Sequence, residues 1–130
     1  MDHILNRESV INLSIIPSCI YVSPEIASVG MTEAEAKEAG IEVKTGKAVM
    51  GANARTLITG AGRSFMKVIV RKDDGRVLGA QLMCETATDM ISQVSLAIAN
   101  GLTAQDMLRY MRPHPTFEEA LTAALEAALE

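Results

Sequence analysis

The residues whose types and spacing suit them to chemistry lie near the C-terminus, in the sequence RPHPTFEE at 112–119. His114 stands between two prolines, so a stiff, extended backbone presents its imidazole ring. Histidine is the side chain best matched to proton transfer near neutral pH. If the chain turns back at Pro115, the carboxylate of Glu119 can accept a hydrogen bond from one ring nitrogen and leave the other for a substrate. The segment therefore predicts a His–Glu pair for acid/base catalysis.

The same spacing also fits a purely structural role. Thr116 and Glu119 are three residues apart, as in a capping box, where the glutamate only satisfies backbone N–H groups at the start of a helix. A single His-Pro pair is also most often part of a surface turn. From the residues alone, both interpretations stay open.

The histidines and cysteines do not predict a metal site or a disulfide. His3 and His114 are far apart, and Cys19 and Cys84 are separated by 65 positions, without the spacing of zinc ligands or of a redox pair. We expect the two cysteines to be reduced and packed as small hydrophobic residues.

The charge pattern excludes two classes of partner. The chain has 130 residues, enough for one domain with its own core, and a formal net charge of −4. Residues 1–117 carry equal numbers of acidic and basic side chains, so the excess comes from four glutamates: Glu118, Glu119, Glu126 and Glu130. A neutral body with an acidic end offers no basic surface for nucleic acid or an anionic membrane. Apart from Glu119, we expect these glutamates on solvated helix surface.

Several segments and motifs are missing from the sequence. No apolar stretch approaches the roughly 18 residues that span a bilayer, and the charged N-terminal sequence lacks the layout of a signal peptide, so a cytoplasmic setting is expected. The glycines at 60–65 (GAGRSF) lack the third glycine of a dinucleotide fingerprint, and there is no GxxxxGK[ST] loop. These glycines, like the sequence at 51–53, indicate loops. We therefore expect no cofactor in the chain by itself.

The clearest signal for strands is a pair of β-rich runs, SFMKVIVR and RVLGAQLM, joined by residues 72–75 with Asp-Gly at the turn. This pattern predicts an antiparallel hairpin. Alternation over 41–50 predicts a further strand, and SCIYVSPE predicts a short edge strand that Pro24 closes. Only one face of the first hairpin strand is fully apolar, so helices should cover one face of the sheet.

Four helices are expected around these strands. Thr32 begins a short surface helix that Gly40 ends, through a capping box and a glycine C-cap. Residues 86–100 form a helix that is apolar nearly all round, so either the core or a partner must cover its second side. A second short helix follows Thr103, and a last helix over 117–130 begins after Thr116. The order of elements predicts an α+β fold with an antiparallel sheet.

Two segments resemble a known family. HPTFEE at 114–119 resembles the HPTxxE signature near the C-terminus of the flavin- and nicotinamide-dependent disulfide oxidoreductases, and IPSCIYVSPEIASVGMTEAEAKEAG at 16–40 resembles the start of that family's last domain. The resemblance covers essentially 13–128 and is greatest to the dihydrolipoamide dehydrogenase branch, with glutathione reductase as an alternative. It implies the two-layer dimerisation fold over 13–130, with 1–12 as the tail of a preceding domain.

The family resemblance implies a homodimer in which each subunit completes the other's active site. His114 would be the acid/base that deprotonates a dihydrolipoamide thiol on a lipoyl-carrying protein, and Glu119 would orient it. Pro115 would hold the turn, commonly with a cis His-Pro bond, and the main chain at His114 and Pro115 would approach the partner's FAD. Electrons would pass to NAD, because FAD- and NAD-binding domains make up the rest of such an enzyme.

The sequence departs from the family pattern at three positions. Arg112 stands where a second histidine is common, and Phe117 and Glu118 replace a more usual leucine and a small or polar residue. The redox CxxxxC is absent, so the chain is expected to be a fragment that does not catalyse alone. The alternative from a different class is a free-standing domain that pairs with itself or with another partner.

Overall fold

The computed structural model describes Ile4 and residues 11–130. Within them, the strands are β1 (Ser18–Ile20), β2 (Glu25–Gly30), β3 (Val43–Val49), β4 (Phe65–Arg71) and β5 (Val77–Cys84). The helices are α1 (Glu33–Glu38), α2 (Ala54–Thr59), α3 (Ala87–Ala99), α4 (Ala104–Met107) and α5 (Glu119–Leu129), with a 3-10 turn at Met50–Ala52. The expected tail of a preceding domain, 1–12, lies mostly outside the described residues.

The strands form one antiparallel sheet in the order β1-β2-β5-β4-β3. The predicted hairpin is confirmed as β4 and β5. Its turn is closed by the N–H of Arg71, which donates to the carbonyl of Arg76 at 2.8 Å. Gly75 takes a φ of +73° there, a conformation open to glycine because it lacks a Cβ. A local hairpin thus forms the middle of the sheet, and more distant segments pair on either side of it.

The two long helices pack on the same face of this sheet, α3 against β2 and β5, and α5 against β3 and β4. The buried side chains between them include Val29, Val68, Leu82, Ile91, Val94, Leu121 and Leu125. The α+β architecture with helices covering one face is therefore as predicted.

The short helix α1 lies against the opposite face. The two hydrogen bonds of the predicted capping box are present, since Thr32 Oγ1 accepts from the N–H of Glu35 and the Glu35 carboxylate accepts from the N–H of Thr32. Lys67, which projects from β4 away from the core helices, forms an ion pair with Glu33. Ile69 on that same face is fully buried. The partly apolar side of the hairpin is thus covered locally.

The small side chains of β3 face the core. Gly46 is buried and Ala48 packs against the core, whereas Val49 is 72% exposed. A Cβ at Gly46 would lie 1.9 Å from the carbonyl oxygen of Ala124 and 2.4 Å from the backbone nitrogen of Ala128. The backbone of α5 therefore lies directly on β3, at a distance that only glycine allows.

Near the N-terminus, one predicted strand is shorter than expected and one strand was missed. The edge strand β1 ends at Ile20 and does not run to Pro24, and Tyr21 is 78% exposed. A second strand, β2, which was not predicted, begins directly after that proline. Its core-facing residues are Ala27 and Val29. Because Ile26 lies on the opposite face, apolar residues occur on both faces of β2 and the alternation is weak in the sequence.

A helix was also missed between the two predicted loops. Asn53 begins α2 by accepting the N–H of Thr56 on its side-chain oxygen at 3.0 Å, and Gly60 ends it with a φ of +66°. Both residues are typical of turns as well as of helix ends, so the sequence showed the boundaries but not the helix.

The remaining predicted helices are present, and only the helix after Thr103 is much shorter than predicted. The helix at 86–100 is present as α3, with Leu96 63% exposed on its outer side. The helix after Thr103 is a single turn, α4, which closes at Leu108. No helix in the described part of the chain is long and apolar enough to cross a membrane.

Candidate active site

The candidate site lies where the segment after α4 turns into α5. His114 is exposed between the two prolines, and the His114–Pro115 peptide bond is cis. Phe117 is buried in the core, which fixes the segment just before Glu119 in the first turn of α5. The loop therefore presents the histidine at the surface while its other end is held by the core.

The structure brings His114 and Glu119 together. The ring nitrogen Nδ1 of His114 lies 2.8 Å from Oε1 of Glu119. Hydrogen bonds from the N–H of Thr116 and from His114 hold the pKa of the Glu119 carboxyl below its usual range. An ionised carboxylate can only accept, so Nδ1 must carry the proton and Nε2 is left as the basic nitrogen. The side chain of His114 is 71% exposed, so Nε2 is open to a substrate.

The capping-box interpretation is half fulfilled by the same carboxylate. Oε2 of Glu119 accepts the N–H of Thr116 at 2.8 Å, as a capping box requires. The hydroxyl of Thr116 instead donates to the carbonyl of Pro113 at 2.8 Å, so the second hydrogen bond of the box is not made. One oxygen of Glu119 thus serves the backbone and the other serves His114.

A cleft of about 390 Å³ opens beside the pair. One wall comes from the loop and α5, through His114, Glu119, Ala120 and Ala123, and the other from residues 48–50 and 52–54. The wall of α5 is built from small side chains, so the cleft reaches the Glu119 carboxylate.

Asn53 connects the two walls and was not identified from the sequence. Its side-chain N–H₂ donates to the carbonyl of Thr116 at 3.0 Å while its oxygen begins α2. The signal that could have found it is an asparagine directly before a short helical run. The sequence cannot show the contact across 63 positions with the histidine loop, which is the segment 108–118 between α4 and α5.

Glu118 corrects one expectation about the acidic end. It was predicted to be on solvated surface, but it is half-buried and its Oε1 lies 3.4 Å from Nε of Arg112. A buried cation two residues before His114 attracts it. Glu126 and Glu130 are exposed, as expected.

The other candidate reactive groups are separate from the site. Cys84 is fully buried, and burial raises the pKa of its thiol to about 12, while Cys19 is partly buried and also free. Among the described residues, no three histidine, cysteine or acidic side chains are grouped as metal ligands would be.

Comparison with known proteins matches most of the chain to one family. Residues 16–125 match the family model described as pyridine nucleotide-disulphide oxidoreductase, dimerisation domain. The dihydrolipoyl dehydrogenase of Bacillus subtilis is 46% identical over 114 residues, which are 88% of this chain and 24% of that protein. That of Geobacillus stearothermophilus is 40% identical over 128 residues, 98% of this chain and 27% of the relative. The chain thus spans about a quarter of the length of these curated relatives.

Solved structures with the same fold include a flavoprotein disulfide reductase and a NAD-dependent persulfide reductase. The HOCl-induced flavoprotein disulfide reductase RclA from Escherichia coli superposes with a TM-score of 0.87 at 27% identity, over 96% of this chain and 29% of that one. A NAD-dependent persulfide reductase from A. fulgidus superposes with a TM-score of 0.77 at 26% identity, over 98% of this chain and 25% of that one. The sheet and its two covering helices are therefore an arrangement shared with these reductases.

Proposed function

The chain belongs to the pyridine nucleotide-disulphide oxidoreductases, as a dimerisation domain of their dihydrolipoamide dehydrogenase-like members, and we propose that its His114–Glu119 pair accepts the thiol proton of a dithiol substrate. The observation that carries the proposal is the 2.8 Å contact between Nδ1 and the Glu119 carboxylate. It leaves Nε2 basic, exposed and beside a cleft.

The proposed reaction is the oxidation of dihydrolipoamide to lipoamide. Nε2 of His114 takes the proton of one thiol, because the thiolate and not the thiol attacks a disulfide. That thiolate attacks a redox disulfide elsewhere in the flavoprotein, forming one S–S bond and breaking another. The second thiol then closes the disulfide of the substrate. The substrate loses two electrons and two protons, and the enzyme disulfide becomes a dithiol.

Glu119 contributes to this step without touching the substrate. Its carboxylate fixes the tautomer of His114 and stabilises the imidazolium that forms when Nε2 is protonated. Because its other oxygen is held by the N–H of Thr116, the carboxylate cannot rotate away as the charge develops. The imidazole is therefore oriented before the substrate arrives.

Exposed apolar side chains around the cleft favour a partner that covers it. Val49 lines the cleft and is 72% exposed, and Leu57 and Ile58 on the adjoining α2 are 67% and 66% exposed. Exposed apolar side chains around a polar pair are typical of a surface that is buried on association. We propose that a homodimer forms through this domain, and that the other domains of the flavoprotein and the lipoyl group of a carrier protein close the site.

The main chain at His114 fits the approach of FAD from a partner subunit. Within the described residues, no hydrogen bond joins the N–H or carbonyl of His114 to another group, and Pro115 has no N–H to compete. We assign His114 and Pro115 as the residues that would face the flavin. When bound in such an enzyme, FAD and NAD would be the acceptors of these electrons.

The test is a chimera in which residues 16–125 replace the matched segment of the Bacillus subtilis relative. We expect it to oxidise dihydrolipoamide with NAD⁺, and His114→Gln to lower turnover on the order of 10²-fold or more with flavin content unchanged. Glu38→Gln, which removes an exposed charge on α1 within the transferred segment, is the control and should leave turnover unchanged.

Two results would contradict the proposal. Turnover of the His114→Gln chimera near that of its parent would remove the proton-acceptor role. A chimera that reduces glutathione disulfide and does not oxidise dihydrolipoamide would assign the domain to the glutathione reductase branch instead.

A further inference from the structure

The side chain of Arg112 is the most deeply buried charged group near the site, with only 3% of it exposed. Its Nη1 donates to the hydroxyl of Thr122 at 2.8 Å and to the carbonyl of Met107 at 3.4 Å. Its Nη2 donates to the hydroxyl of Tyr110 at 2.8 Å, and the guanidinium also lies over the ring of that tyrosine, 4.5 Å from its centre. Its Nε lies 3.4 Å from Oε1 of Glu118, an ion-pair distance, and makes no hydrogen bond among the described residues.

These partners belong to three different parts of the chain. Met107 is the last residue of α4, Tyr110 lies in the connecting segment, and Thr122 lies on α5. The guanidinium therefore joins the end of one helix to the first turns of the next. The histidine loop runs between those two points.

From this geometry we propose that Arg112 is a positioning residue for the dyad, fixing the start of α5 and hence the Glu119 carboxylate against His114. Thr122 lies one turn after Glu119, and Glu118 directly precedes Glu119. The two α5-side partners of Arg112 therefore move together with the Glu119 carboxylate. Arg112 is itself two residues before the histidine. The relevance of this positioning to dithiol oxidation rests on the function proposed above, whereas the positioning itself is a property of this chain.

Lysine cannot replace the guanidinium at this position. Arg112 uses both terminal nitrogens at once, toward Thr122 and toward Tyr110, in the fixed planar geometry of its fork. A lysine ammonium is a single point of charge that cannot span the two hydroxyls and stacks less well on the ring. Arg112→Lys therefore removes the geometry and keeps the charge, which separates positioning from simple electrostatics.

The readout is the tautomer of His114, measured in the full chain from the ¹⁵N shifts of its imidazole nitrogens at alkaline pH. The unmodified chain is expected to show a protonated Nδ1 and a bare Nε2. In Arg112→Lys we expect this state to fall from dominant to a minority, because Glu119 no longer stays in register with the ring. The only other histidine, His3, provides an internal reference.

The matched control is Arg109→Lys, the same substitution at a side chain that is 78% exposed and pairs only locally with Asp106. It should leave the His114 signals unchanged. Folding of every variant is checked by circular dichroism, since a merely structural role of Arg112 would lower stability without moving the tautomer of the folded chain.

Should Arg112→Lys fail to fold, Thr122→Val removes one acceptor of the guanidinium while keeping the side-chain shape, and we expect a partial shift of the same signals. An unchanged tautomer in a folded Arg112→Lys, or in Thr122→Val when the first does not fold, would overturn the proposal, as would an equal shift in Arg109→Lys. An unmodified chain without the Nδ1 proton would instead count against the His114–Glu119 pair itself.

Discussion

Substituting Gly46 by alanine should force the backbone to shift, because α5 lies directly on this glycine of β3. The new Cβ would meet the carbonyl oxygen of Ala124 at 1.9 Å and the nitrogen of Ala128 at 2.4 Å. Both are backbone atoms of a helix, so neither can rotate away as a side chain would. To restore even a tight contact, α5 must recede from the sheet by about 1 Å.

The size of the effect follows from two opposing contributions. Overpacking by a methylene in a close-packed core commonly costs about 1–3 kcal/mol, and a contact with backbone belongs at the upper end. Removing a glycine also lowers the entropy of the unfolded chain, which favours alanine by roughly 0.4–1 kcal/mol. We therefore expect Gly46→Ala to lower the free energy of unfolding by about 2 kcal/mol and the melting temperature by roughly 8 °C.

Urea unfolding followed by circular dichroism measures this difference. Gly62→Ala is the control, since a Cβ at Gly62 meets nothing within 4 Å, and its free energy of unfolding should stay within about 0.5 kcal/mol of the parent. Equal midpoints for the two variants would refute the close approach of α5 to β3. They would also remove the support that this packing gives to Glu119 at the start of the helix.

Two further predictions concern the titratable groups. Because hydrogen bonds from Thr116 and His114 lower the pKa of Glu119 in the folded chain, its carboxylate stabilises the fold above the ordinary value of 4.5, and this contribution is lost as the pH falls through the lower folded value. Glu119→Gln should thus be less stable than the parent at pH 7, with the gap in urea midpoint closing toward pH 3; a constant gap, or the same trend in an exposed-glutamate control, would contradict this. Burial raises the pKa of Cys84 to about 12, so a thiol reagent at pH 8 should label Cys19 alone in the folded chain and both cysteines in urea; rapid labelling of two thiols without urea would show that Cys84 is accessible.

Features decided within a few residues could be predicted from the sequence. The hairpin turn at Gly75 and the capping box of Thr32 depend on neighbours along the chain, and the structure contains both. The approach of Glu119 to His114 belongs to the same class, because five positions and a proline turn suffice to bring them together. Whether that pair catalyses stays a prediction until the chimera is measured.

Features that depend on contacts between distant residues could not be predicted from the sequence. The alternation over 41–50 predicted a strand, but only the packing of α5 selects the face with Gly46, and not the face with Val49, as the buried one. Asn53 contacts the loop at Thr116 across 63 positions. Arg112 appeared only as a departure from a family pattern, because its burial depends on how α4 and α5 meet.

The two oxygens of the Glu119 carboxylate have different partners, so few other amino acids can take its place. An aspartate is one methylene shorter, so it cannot span the histidine ring and the backbone N–H in the present backbone. A glutamine keeps the length but gives up one of two acceptor oxygens. A substitution at position 119 therefore changes both the start of α5 and the orientation of the His114 imidazole. The basicity of the histidine can be altered more freely through the residues around the pair than at position 119.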